Sequence, residues 1–304
     1  MSKNQVNKYV WLVETLYRGK KITLKEINRR WLETDLSEGL EIPRRTFHTW
    51  KNAVEEMFGL VIMCDKSDGD RYYIENREVL EDDGLQRWLL STMSINNTLL
   101  DNKALSDRIL LENIPSGQDF LATVMEAMKK SRLLKITYKG FWSDSEHTFP
   151  VAPYCVKLFR QRWYMVSKSV YEDRIRIYAL DRVQNLTLLD EPFKYPTDFS
   201  PEIYFEGYFG VIHDDKCALE TVKLRVSPNQ ANYLRSLPMH SSQKELERHE
   251  DYSIFTLYLR PTFDFRQKLL WNGDALEVLD PLWLREEMAE TVKRMWNLYS
   301  GDEK

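Results

Sequence analysis

Between Leu133 and Leu189 the apolar residues of this chain stop recurring every three or four positions and begin to alternate. Six short runs rich in strand-forming types follow one another: Leu133–Tyr138, Thr148–Val151, Pro153–Leu158, Arg162–Ser167, Arg174–Leu180 and Leu186–Leu189. Alternation marks strands half buried in a sheet, and short strands joined by polar turns pair antiparallel. A small β-barrel is therefore expected at the centre of the chain. At 304 residues the whole is too long for one core and suits two or three domains of about 80 to 150 residues.

Period-two geometry sorts the side chains of the central strands. In Arg162-Trp163-Tyr164-Met165-Val166, Arg162 and Tyr164 share one face and Trp163 and Met165 the other. In Arg174-Ile175-Arg176-Ile177-Tyr178, Arg174, Arg176 and Tyr178 lie opposite Ile175 and Ile177. The expectation is one wall where arginine forks and tyrosine rings stand side by side, the combination that phosphates and bases require. An ordinary exposed barrel face would carry the same residues, and spacing alone leaves the two readings level.

Upstream, helical spacing prevails. Val6, Val10, Val13 and Leu16 give a first helix stopped by Gly19; Thr23-Leu24-Lys25-Glu26 reads as a capping box opening a second; Pro43 introduces a third through Phe47, Trp50, Val54 and Phe58 to Gly59. Leu60–Cys64 and Arg71–Ile74 then flank a turn containing Asp68-Gly69, a hairpin signal. Three helices and a hairpin describe a winged helix whose third helix enters the major groove of duplex DNA. Arg44, His48 and Lys51 lie on its outer face with Arg45, Thr49 and Asn52 beside them, and Lys66 and Arg71 sit on the wing. These eight are the candidate DNA-binding residues. Glu81–Asn102, Ser106–Ile114 and Gln118–Ser131 follow as an acidic helical connector.

The net charge of −4 argues against a nucleic-acid partner until its distribution is considered. Residues 120–190 hold twelve lysines and arginines against seven acids, the distinctly basic stretch of the chain. No apolar run approaches the roughly 18 to 20 residues of a membrane helix, and no signal-peptide pattern is visible, so a cytoplasmic protein without a membrane partner is expected. Three widely spaced cysteines, Cys64, Cys155 and Cys217, fit reduced thiols. The five histidines show neither metal-ligand spacing nor a triad-like context. No catalytic residue, metal or cofactor is expected.

Trp163-Tyr164-Met165, preceded by Pro150-Val151-Ala152-Pro153-Tyr154 and followed by Arg176-Ile177-Tyr178-Ala179-Leu180-Asp181-Arg182-Val183, resembles the WYL domain family. Met165 stands where the family's name-giving tripeptide has Leu, a volume-conserving exchange. The resemblance implies an Sm-like, SH3-type barrel that senses single-stranded nucleic acid or a nucleotide in bacterial transcriptional regulators, often ones tied to DNA damage or phage defence. Carried onto this chain, it makes Tyr164, Arg174, Arg176, Tyr178 and Arg182, with Arg162, the ligand-binding residues. Asp181 is expected to orient Arg182, and Trp163 to sit in the core.

Beyond a Pro-rich linker, strand and helix patterns run in the order βαββαβ and close with a helix over Leu282–Tyr299. This order is ferredoxin-like and resembles the extension usually found after WYL domains, which implies dimerisation. The stripe Met288, Val292, Met295 and Trp296 is read as packing on its own sheet in preference to forming the dimer contact. The fold class is thus α+β: a winged helix (1–80), a helical connector (81–132), a WYL barrel (133–192), a linker (193–217) and a ferredoxin-like extension (218–304). The function expected is a homodimeric regulator, with repression favoured, that binds operator DNA and responds to a nucleic-acid or nucleotide ligand. The alternative is an accessory protein that binds single-stranded nucleic acid and modulates a partner.

Overall fold

The computed structural model describes residues 3–81, 85–101, 108–110, 117–141 and 143–301. Of the expected segment Ser106–Ile114 only residues 108–110 are described; the end of its apolar run at Leu111 and the Pro115-Ser116 break lie outside the described residues. The chain is a mixed α+β protein dividing into two compact units, Met1–Glu112 and Asn113–Lys304. Among the described residues no helix is long and apolar enough to cross a membrane.

In the first unit, helices α1 (Lys3–Gly19), α2 (Leu24–Leu32) and α3 (Arg44–Phe58) enclose a core in which Leu12, Leu16, Ile27 and Phe47 are wholly buried. Thr23 caps α2 as its sequence signals: Glu26 N–H donates to Thr23 Oγ1 at 3.2 Å and Thr23 N–H to the Glu26 carboxylate at 2.8 Å. The buried Asn28 side chain bonds both backbone groups of Ile42 and so holds the approach to α3. Pro43 is the N-cap of α3, one position earlier than a helical proline, and Gly59 ends it at φ 65°. Strands β2 (Ile62–Asp65) and β3 (Arg71–Ile74) pair antiparallel, and β1 (Ile22–Thr23) adds a third strand in the order β1-β3-β2. Two residues are too few to show a period, so β1 left no mark in the sequence. Helices α4 (Glu78–Glu81) and α5 (Leu85–Asp101) complete the unit.

The second unit begins with α6 (Gln118–Lys130). Its Val124 and Ala127 are buried against Leu134, Met165 and Leu180, so this helix covers one face of the sheet that follows. That sheet consists of β4 (Arg132–Tyr138), β5 (His147–Phe159), β6 (Arg162–Ser169), β7 (Ile175–Ala179) and β8 (Val183–Pro192), antiparallel throughout in the order β7-β6-β5-β4-β8. The expected closed barrel is absent: β7 and β8 are free edges. The two runs read as separate strands on either side of Ala152 are one strand, β5. Its first half pairs with β4 and its second with β6 alone, across a register shift between Pro153 and Cys155. A bulge of this kind bends a strand without ending it, and leaves room for a proline that cannot donate to the ladder.

Residues 193–217, read as an irregular linker, form an aromatic strap. Phe199 packs on Tyr154 of β5 at 5.0 Å between ring centroids, and beyond the short helix α7 (Pro201–Tyr204) the His213 ring is sandwiched by Tyr204 at 4.1 Å and Tyr208 at 3.9 Å. The remainder runs β9 (Glu220–Val226), α8 (Pro228–Ser236), β10 (Lys244–Arg248), β11 (Ser253–Leu259), α9 (Phe263–Trp271), β12 (Leu276–Asp280) and α10 (Leu282–Ser300), with all neighbours antiparallel in the order β10-β11-β9-β12. Leu284 of α10 is buried and Met288 leans on the same core, but Val292, Met295 and Trp296 are exposed. The stripe therefore joins the core of its own sheet only at its first member, while Val292, Met295 and Trp296 line an open groove with Leu269, Leu276 and Val278.

Candidate functional site

The outward face of α3 follows from its helical period: with Phe47, Trp50, Val54 and Phe58 buried, Arg44, Arg45, His48, Thr49 and Asn52 are exposed. Arg44 and Arg45 make no ion pair among the described residues. Lys51 differs. Its ammonium is held 2.9 Å from Glu55, whose carboxylate also accepts the Ile62 N–H at 2.8 Å, so it ties α3 to β2. On the hairpin, Lys66 is exposed, whereas Arg71 is drawn to Asp68 (3.3 Å) and Glu26 (3.7 Å). Lys21 is likewise bound to Asp65 at 2.9 Å, and this amine together with the Ser67 hydroxyl lowers the Asp65 carboxyl to about 2.

On the central sheet the expected common wall does not form. Met165 faces Tyr178 across the β6–β7 ladder and Ser167 faces Arg176, while Tyr164 faces Ala179. Arg162 and Tyr164 thus lie on the side of Ile177, and Arg176 and Tyr178 on the opposite side. Tyr178 belongs to the core, between Tyr138 at 5.2 Å and Phe149 at 5.6 Å, and burial pushes its hydroxyl up to about 12. Arg176 is paired with Glu172 at 2.5 Å, and Arg174 is exposed in the turn before β7. Trp163 is half buried against the core, as expected of it.

Three of the six predicted ligand residues do converge. Arg162 reaches Asp181 at 3.4 Å, which corrects the expected pairing of Asp181 with Arg182. Arg182, in the 3-10 turn Leu180–Arg182, lays its guanidinium 3.7 Å from the Phe141 ring. Both arginines act on the Tyr164 hydroxyl, opposing the rise that burial imposes. Asp181 Oδ1 and Arg182 Nε are buried without hydrogen-bond partners among the described residues, so the cluster retains polar capacity that these residues do not satisfy. The turn is placed by Gly117 at φ 68°, where a Cβ would fall 2.5 Å from Leu180.

Beside the cluster lies a residue that the sequence reading passed over. Lys157 of β5 points away from solvent, donates to the Gly210 carbonyl at 2.9 Å and stands 3.7 Å from the Phe205 ring; burial lowers its ammonium to about 8. Asp264 of α9 accepts the N–H groups of Val211 (2.8 Å) and Ile212 (2.7 Å). A lysine inside the apolar run Val156-Lys157-Leu158 was the available signal. Among the described residues no group of histidine, cysteine and carboxylate side chains could hold a metal ion, and the three cysteines are free.

Residues 119–188 match the WYL domain family and residues 218–296 the WCX domain family. The chain carries a WYL domain followed by a WCX domain. It is similar to Protein PafC of Mycobacterium tuberculosis, in strains CDC 1551 / Oshkosh and H37Rv, at 25% identity over 191 residues, which are 62% of this chain and 58% of that protein. The chain thus spans less than two thirds of the curated relatives it matches. Among solved structures, proteasome accessory factor B/C (PafBC) of Arthrobacter aurescens aligns over 95% of this chain and 46% of its own, at 16% identity and a TM-score of 0.38. A CRISPR Cas-related protein aligns over 90% and 77%, at 12% identity and a TM-score of 0.39. The WYL match takes in α6, consistent with its burial on the sheet, and every residue of the Arg162, Tyr164 and Arg182 cluster.

Proposed function

We propose that this WYL domain protein is a DNA-binding transcriptional regulator, a repressor acting as a cytoplasmic homodimer, whose WYL domain senses a nucleic-acid or nucleotide ligand. The observation that carries it is the face of α3. Arg44, Arg45, His48 and Asn52 present donors to solvent, with Thr49 exposed beside them and its hydroxyl donated to the Arg45 carbonyl, on the helix that precedes an antiparallel hairpin. That order suits a winged helix-turn-helix with α3 as recognition helix, and a two-fold pair of such helices would read two half-sites. In the WCX domain, the order β10-β11-β9-β12 is that of a ferredoxin-like sheet.

On the WYL side, Arg162, Tyr164 and Arg182 supply two planar cations and a phenol next to unsatisfied buried polar atoms, a set suited to phosphate and base. Ligand occupancy is coupled to operator affinity in this reading. The accessory-protein alternative predicts no sequence-specific duplex binding at all. Footprinting the chain on DNA upstream of its own coding region tests the choice: a protected site competed by itself and not by scrambled duplex is expected, and protection that is equal on both duplexes would sink the regulator reading.

A further inference from the structure

The hairpin joining β5 to β6 turns through Arg160 and Gln161, at φ 48° and 62°. Both central positions of this tight turn are left-handed, where asparagine and glycine are the usual occupants. Keeping an arginine there aims its guanidinium over the rings of Phe159 (5.2 Å) and Phe209 (5.8 Å) and into a cleft of about 620 Å³ between the turn and helices α8 and α9. Strained side chains held at a cavity mouth are a known mark of binding sites.

The lining of this cleft has a consistent chemistry. Arg160 and Lys268 bring two cations, neither with an acid partner among the described residues, and no carboxylate lines the cleft. Trp271 and Tyr233 stand at its rim 84% and 69% exposed. Two aromatic rings thus stand largely open to solvent at the cleft. Gln230 donates to Asn272 Oδ1 at 2.8 Å and Asn272 donates to the Lys268 carbonyl at 2.6 Å, which engages both polar atoms of Asn272 and fixes the Gln230 carboxamide, whose Oε1 has no hydrogen-bond partner among the described residues. Beside the apolar side chains of Phe159, Phe209, Leu234, Leu237, Pro238 and Met239, the cleft brings together open rings, two cations and a carboxamide, a set that suits a ligand with nucleobases and phosphates.

We infer that this WYL–WCX cleft, at the hairpin turn and lined by Phe159, which shares its face with Arg162 and Tyr164, is a binding site for unpaired nucleobases and their phosphates, with Trp271 and Tyr233 stacking the bases and Arg160 and Lys268 holding the backbone. The inference rests on the ligand-sensing half of the proposed function and extends it to residues outside the WYL signature. It assigns the WCX domain a direct share in ligand recognition.

The test uses the full chain with a fluorescein-labelled oligo(dT) of about twelve nucleotides in anisotropy titrations, and AMP as competitor. Trp271→Ala, a change of an exposed side chain, weakens oligonucleotide binding at least fivefold. Arg160→Ala and Lys268→Ala each reduce the salt slope by about 0.7. Displacement by AMP identifies a free mononucleotide as the ligand, and its failure identifies a strand. If Arg162→Ala abolishes binding while Trp271→Ala changes it less than twofold, the cleft falls and the sensing reading stands. If neither probe binds the wild-type chain, both fall.

Discussion

Arg44 and Arg45 of α3 are exposed with no ion pair among the described residues, whereas Arg162 and Arg176 of the WYL sheet are each held by a carboxylate, Asp181 and Glu172. An anion approaching α3 meets cations that are already available. An anion approaching the sheet has to compete with acids of the chain itself. For Arg176 that competition is weak, since a solvent-exposed pair is worth about 0 to 1 kcal/mol. For Arg162 it is stronger, because the Asp181 side chain is only 8% exposed and cannot be left alone cheaply. The helix presents cations unengaged among the described residues, whereas the sheet presents cations that would have to exchange one partner for another.

The largest expected effect falls on the sheet side of this contrast. Gly117→Ala combines a left-handed residue with a Cβ 2.5 Å from Leu180, and is expected to cost about 2 to 4 kcal/mol, read as a lower urea midpoint for the unit holding the sheet. A cost under about 0.5 kcal/mol would mean that the turn carrying Arg182 is not fixed there. On the helix side, the double change Arg44→Ala and Arg45→Ala is expected to lower duplex affinity about a hundredfold and the salt slope by about 1.8, with stability unchanged. An unaltered slope would remove α3 from the interface.

The two sheet arginines should then separate from one another. Arg162→Ala leaves Asp181 buried without a cation and is expected to cost about 1 to 2 kcal/mol, while Arg176→Ala stays within about 0.5 kcal/mol. Equal costs in denaturant melts would erase the distinction drawn between them. A last effect, read through pH, concerns Lys157, whose ammonium is lowered by burial from an ordinary 10.5 to about 8. Between those values the unfolded chain holds the extra proton, so the stability of the native protein rises with pH across the window. Lys157→Met is expected to remove that rise, seen as a loss of the difference between melts at the two ends of the window; an identical pH profile would show that the amine is not buried in solution.

The same two regions differ in how far they could be read from the residues alone. The face of α3 is fixed by one period within one element, and the capping box at Thr23 is equally local, so both are legible. The common wall on the sheet needed the relation between β6 and β7 as well as the alternation within each. That relation is a register, and a shift of a single position sends Tyr178 from solvent to core. The turn at 170–174 gives no hint of its parity. Closure of a barrel depends on the bulge in β5, which composition does not announce, and the placement of Lys157 depends on a strap more than 50 positions away. Recurring residue types around Trp163-Tyr164-Met165 located the domain without supplying its geometry.

The segment Gly210–Ile212 has one carbonyl gripped by Lys157 and two amides gripped by Asp264. Two neighbouring domains therefore clasp the same three residues from opposite sides, and Gly210 has no space for a methyl group, its Cβ position lying 2.4 Å from Asp264. A tether that short leaves little slack: the same three residues set the spacing between β5 and the first turn of the helix bearing Trp271.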